Sequence, residues 1–119
     1  MTIQRLQLLV ADFAARREWE RFHTPKNLVM ALTGEVGELS ELFQWLTEQE
    51  SSDICQDPGQ RARVEEEIAD VFIYLLRLAD VLGVDLDAAV EANVRRNEER
   101  YPAAVVKGRA VKYTELHQP

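Results

Sequence analysis

Two acidic pairs set into apolar helical stripes constrain this chain more than any other feature. Gly34-Glu35-Val36-Gly37-Glu38-Leu39 carries Glu35 and Glu38, and Glu65-Glu66-Glu67-Ile68-Ala69-Asp70 carries Glu67 and Asp70. Residues three apart share one face of a helix. The acids lie beside the apolar positions: Leu32, Val36, Leu39, Leu42 and Phe43 in the first segment, and Ile68, Val71, Phe72, Leu75 and Leu76 in the second. Carboxylates at the edge of a core are costly unless paired or bound to a cation, and no Lys or Arg occurs between Gly34 and Glu50. A divalent cation is the simplest remedy. Oxygen-only ligands suit Mg²⁺ or Mn²⁺, and Mg²⁺ keeps positions open for substrate phosphates. For a single pair, solvated helix-face acids are the simpler account. Two pairs on neighbouring helices, each beside an apolar stripe, shift the balance toward a site.

The helical period extends on both sides of these segments. Ile3, Leu6, Val10, Phe13 and Ala14 predict a helix over about 3–21. Thr24 as N-cap and Pro25 as first helical residue open a second over about 25–49. Its interior glycines, Gly34 and Gly37, each reduce helix propensity by roughly 1 kcal/mol relative to Ala, and read either as a close approach by a metal or helix or as tolerated flexibility. The polar stretch 49–60, ending in Pro58-Gly59, predicts a surface loop. A third helix over about 60–82 closes at Gly83, and a fourth, capped by Asp85, runs over 85–100 until Pro102. The tail, 101–119, reads as irregular and suited to docking on another subunit. No strand pattern, internal repeat or low-complexity tract interrupts this plan. The expected fold class is therefore all-α, a four-helix bundle spanning 1–119 as a single domain, with the second and third helices forming an antiparallel hairpin. At 1.5 Å per residue, Glu38 and Glu67 then differ in height by only about 5 Å, so all four acids can converge on one cavity.

With 14 Lys and Arg against 21 Asp and Glu, the net charge is −7, which argues against a nucleic-acid groove or an anionic membrane as partner. The lone Cys55 offers no internal disulfide, the first residues lack a signal-peptide core, and no apolar run reaches the ~20 residues of a membrane span. A cytoplasmic protein is the expectation.

A carboxylate cluster holding Mg²⁺ can bridge phosphates, and a carboxylate outside ligation can accept a proton from attacking water. The chain has no phosphate-binding glycine loop and no Ser or Cys nucleophile motif. The Glu-x-x-His pairs of a di-iron bundle are also missing, since His23 and His117 stand in no such relation to any Glu. A nucleotide also needs a base pocket. Trp19 and His23 are four residues apart, and Trp45 lies seven past Glu38 on the expected helix; aromatic planes stacking a base contribute roughly 1–3 kcal/mol each. Taken alone, each tryptophan reads more simply as core packing, and His23 equally as a capping or surface residue. Asn97, Arg100 and Tyr101 offer an amide, a guanidinium and a phenol to a sugar or phosphate, or simply a solvated helix end. Lys112 is open to the same two readings.

Glu35-x-x-Glu38, then 28 residues, then Glu67-x-x-Asp70 resembles the ExxE…ExxD signature of the MazG-like all-α nucleoside triphosphate pyrophosphohydrolases. More narrowly, residues 18–28 (EWERFHTPKNL), 34–39 (GEVGEL), 41–45 (ELFQW), 70–75 (DVFIYL), 100–102 (RYP) and 112–116 (KYTEL) are similar to the dCTP pyrophosphatase branch, so the likeness covers nearly the whole chain. The resemblance implies a Mg²⁺-dependent homotetramer, a dimer of dimers, that hydrolyses a deoxynucleoside triphosphate to the monophosphate and pyrophosphate as nucleotide-pool house-cleaning. It implies that Glu35, Glu38, Glu67 and Asp70 bind metal, that Trp19 and Trp45 enclose the base, and that Tyr74 and Asn97 contact sugar or phosphates, with His23, Lys26 and Asn27 nearby. Two positions depart from the dCTP pattern. Val10 stands where relatives carry a base-facing His, and Asn93 where they carry a Lys, which weakens the case for cytosine; the resemblance as a whole still makes dCTP or a modified dCTP the first expectation for substrate. A broader NTP or dUTP pyrophosphatase is the enzymatic alternative, and a non-catalytic helical interaction protein the other.

Overall fold

A computed structural model describes residues 1–110 of the chain; Lys112 and the 112–116 segment lie outside the described residues. Within them the chain is all-helical, as expected, with four long helices and two short ones. Helix α1 spans Ile3–Arg16, capped by the Thr2 hydroxyl, which accepts from the Arg5 N–H at 3.1 Å. It ends earlier than the sequence period suggested. Glu18 takes a left-handed conformation at φ 55°, and the chain reverses as Trp19 N–H donates to the Ala14 carbonyl and Glu18 N–H to that of Ala15, both at 3.0 Å. A 3₁₀ turn, Glu20–Phe22, follows.

Helix α2, Pro25–Glu41, starts where Thr24 and Pro25 place it, with Thr24 accepting from Asn27 N–H at 3.3 Å. It does not continue to 49. Leu42–Trp45 turn out of the helix, because Thr47 and Glu50 form a reciprocal capping box that starts a new helix, α3, Glu48–Asp53. A 3₁₀ turn, Ile54–Gln56, completes the connection. The segment expected to be a polar loop is thus mostly helical. Helix α4, Pro58–Leu82, begins two residues before the expected start and closes on Gly83 at φ 69°, with Val84 N–H on the Ala79 carbonyl at 2.8 Å.

The chain divides into two compact units, Met1–Val84 and a second beginning at Asp85. In the first, α4 packs against α2 and α1, and Gln7 on α1 donates to the Leu76 carbonyl at 3.2 Å. Its buried core comprises Ala14, Leu28, Val64, Leu76 and Ala79. Leu32, Leu39, Leu42, Phe43 and Val71 are half-buried, as the stripes require, but Val36, Ile68, Phe72 and Leu75 remain exposed. In the second unit, Asp85 caps α5, Leu86–Arg100, and the stretch after Pro102, expected to be irregular, forms a short helix α6, Ala103–Val106. No helix among the described residues is long and apolar enough to cross a membrane.

Candidate active site

Helices α2 and α4 run antiparallel, as their shared contents show: Glu38 meets Glu67, while seven residues back on α2 Ala31 lines a cavity with Tyr74, seven residues on along α4. One carboxylate oxygen each from Glu35, Glu38 and Glu67 lie within 4.8 Å of one another. Asp70, opposite Glu35 in this register, adds its charge to both Glu35 and Glu67. Glu35 Oε2 and Glu67 Oε2 are buried without any hydrogen-bond partner, and among the described residues no Lys or Arg pairs with any of the four acids.

The electrostatic consequence is a crowded, under-neutralised cluster. Burial, hydrogen bonding with Glu38 and the charges of Glu38, Asp70 and Glu67 push the Glu35 carboxyl up to about 7. Burial first, and then the Glu38 and Asp70 charges, raise Glu67 as well. Orphaned buried carboxylate oxygens in an all-oxygen donor set fit a hard divalent cation.

One helical turn from the acids on both helices lies a cavity of about 260 Å³, lined by Trp19, Phe22, His23, Asn27, Leu28, Ala31 and Tyr74. The chain reversal at Glu18 delivers Trp19 to it. Trp19 meets Phe13 edge-on, with centroids 5.8 Å apart, and Arg17 covers the other ring at 3.6 Å. Asn27 is tied by its amide to the Phe22 carbonyl at 3.0 Å. Four of the residues singled out from sequence, Trp19, His23, Asn27 and Tyr74, are therefore brought together.

Others are not. Trp45, expected on the same helical face as Glu38, follows the end of α2 and is 87% exposed. Lys26 is exposed on the first turn of α2 and does not line the cavity. Within the second unit, Asn97 borders a hollow of about 400 Å³ with Tyr101 and Lys107, and Arg100 occupies the last turn of α5. Sequence reading missed Phe22, Leu28 and Ala31, which carry only the ordinary apolar signal, and Arg77, which interrupts the apolar run of α4 yet is buried.

A MazG-like family model matches residues 31–116, most of the chain and both acidic pairs. The chain belongs to the MazG-like family. Among MazG-like proteins and their relatives, dCTP pyrophosphatase 1 of Homo sapiens is 49% identical over 97% of this chain and 68% of its own length, and that of Rattus norvegicus 48% over the same shares. In structure, the chain is similar to a pyrophosphatase from Archaeoglobus fulgidus, with a TM-score of 0.77 and 40% identity over 83% of this chain and 91% of the other.

Proposed function

We propose that this MazG-like protein is a Mg²⁺-dependent deoxynucleoside triphosphate pyrophosphohydrolase, with dCTP or a modified dCTP as substrate. The observation that carries the reading is the acidic convergence itself: three carboxylates within 4.8 Å, with buried oxygens of Glu35 and Glu67 left unpartnered, one turn from an aromatic-walled cavity. Glu35, Glu38, Glu67 and Asp70 would hold the cation. Once bound it supplies charge neutralisation at the phosphates and a lowered pKa for water. Mn²⁺ satisfies the same oxygen donors.

The chain's own part is to hold and orient. Trp19 and Tyr74 flank the nucleoside, and the acids one turn away set the polyphosphate against the cluster. Water attacks the α-phosphorus, the bond to the bridging oxygen of the β-phosphate breaks, and pyrophosphate leaves. The proton of the attacking water passes to a carboxylate not engaged in ligation. Trp45 over the base, and Lys26, Asn97, Arg100 and Lys112 at sugar and phosphates, belong to the assembled, loaded enzyme. We assign that enzyme as a homotetramer of single-domain subunits in the cytoplasm. The exposed Leu8, Leu9 and Ile68 support such an assembly.

Val10 favours a second reading, a broader NTP or dUTP pyrophosphatase, because an apolar side chain cannot hydrogen-bond a cytosine edge. Pyrophosphate release with Mg²⁺, measured across the common ribo- and deoxynucleoside triphosphates plus 5-methyl-dCTP, separates the two. Fastest turnover of a cytosine deoxynucleotide supports the first reading, equal turnover of several bases the second, and no release from any nucleotide removes both.

A further inference from the structure

Arg77 is the one charged residue buried in the first unit's core, its side chain only 10% exposed. A buried guanidinium is costly unless its N–H groups are engaged, and here two are. Arg77 Nε donates to His23 Nδ1 at 3.1 Å, and Nη1 donates to Asp80 Oδ2 at 3.4 Å. The first bond has a chemical corollary. Guanidinium carries only donors, so Nδ1 must present its lone pair, and the ring proton of a neutral imidazole then resides on Nε2. Arg77's positive charge opposes a second ring proton, and burial together with that charge holds the His23 pKa below its ordinary value, against the pull of Glu20.

His23 lines the cavity beside Trp19, Asn27 and Tyr74, and among the described residues no group accepts from its Nε2. One of the two N–H groups of Asn27's amide is held by the Phe22 carbonyl. We infer that Arg77 is a positioning residue that fixes His23 as its neutral Nε2–H tautomer, so that the cavity offers a hydrogen-bond donor to an acceptor on the nucleobase. This deepens the proposed reaction and rests on it only for the identity of the ligand. A ring free to change its tautomer would at times present a lone pair at Nε2 and repel the same acceptor.

The test uses the full chain. Long-range ¹⁵N–¹H spectra of the imidazole, with and without dCMP, are recorded for wild type, Arg77→Met and Arg77→Lys, together with melting curves. Steady-state kinetics with Mg²⁺ follow, in wild-type and His23→Phe backgrounds. The expected wild-type spectrum shows Nδ1 bare, Nε2 protonated and the Nε2–H resonance moved by dCMP. Arg77→Met mixes the tautomers and raises KM about fivefold to tenfold, the span of one lost hydrogen bond, with kcat held within about twofold. In the His23→Phe background the same substitution adds nothing, and Arg77→Lys, which keeps a donor on a long stem, recovers most of the affinity.

A proton on Nδ1 in the wild type overturns the inference, as does an equal KM penalty for Arg77→Met when His23 is already gone. Should Arg77→Met fail to fold, the wild-type spectrum and Arg77→Lys still decide it. A chain that hydrolyses no nucleotide removes the proposed reaction, whereas the wrong tautomer removes only this inference; the spectrum reads the ring with or without turnover.

Discussion

Glu35 carries the clearest physical signature in the molecule. Its carboxyl sits near 7 when the ordinary value is 4.5, so between those values the folded chain holds a proton that the unfolded chain has released. Stability of the metal-free protein therefore falls as pH rises from about 4.5 to 7, and Glu67, also raised, adds to the slope. Melting temperatures of chelator-treated protein across this window should decline with rising pH, and Mg²⁺ should lift the upper end most, because only the deprotonated cluster ligates. A flat or rising profile without metal would contradict the crowding. Glu38 is the neighbour whose hydrogen bond and charge bear on Glu35. Replacing it, Glu38→Gln, should abolish pyrophosphate release while raising the melting temperature of the metal-free protein above that of the wild type. A helical interaction protein with merely solvated acids would show neither change. These residues were legible in advance because two i, i+3 acid pairs beside apolar stripes have few stable arrangements. Arg77 was not, since a sequence gives no sign that an arginine inside an apolar run finds partners on another element.

At the scale of elements, the starts of α2 and α5 and the end of α4 were readable, and the ends of α1 and α2 were not. Thr24-Pro25 and Asp85 announce their helices through side-chain chemistry, and Gly83 announces an end because its left-handed backbone suits glycine. Glu18 performs the same reversal without that marker, so the period of α1 seemed to run on to Arg21. The end of α2 was hidden differently. Leu42, Phe43 and Leu46 extend the apolar period past Glu41, yet Thr47-x-x-Glu50 is a start signal, with Thr47 Oγ1 accepting from Glu50 N–H at 3.1 Å and Glu50 Oε1 from Thr47 N–H at 2.9 Å. The local start prevails over the continuing stripe. Convergence of the acids survived this error, because α3 and its 3₁₀ turn fill the span the longer helix and loop were expected to occupy. Removing the cap, Thr47→Ala, should cost about 1 kcal/mol, seen as a lower denaturant midpoint with an unchanged slope. An unchanged midpoint would mean that the capping box contributes nothing to the connection.

For the whole molecule the question is where its apolar surface goes. Only Ala14, Leu28, Val64, Leu76 and Ala79 are buried apolar residues among those described, while Leu8 is 67% exposed, Leu9 57% and Ile68 53%. Apolar patches of this kind on a folded chain mark association surfaces, and each fully covered leucine would contribute roughly 1.5–3 kcal/mol. Leu8 and Leu9 also border a hollow of about 520 Å³ on α1, together with Met1 and Arg5, and that face of α1 is the one the proposed assembly would cover. Light scattering at micromolar concentration should then report a particle of several times the 13.7 kDa chain mass, four for the assembly proposed. Paired substitution of Leu8 and Leu9 by Glu should reduce that mass, because two charges on each side of a symmetric contact face one another. A monodisperse wild-type monomer would remove the tetramer and leave Trp45 and the phosphate-side cations to be supplied within one chain, whereas a stable oligomer that ignores the paired substitution would move the contact to the exposed face of α4 around Ile68 and Phe72.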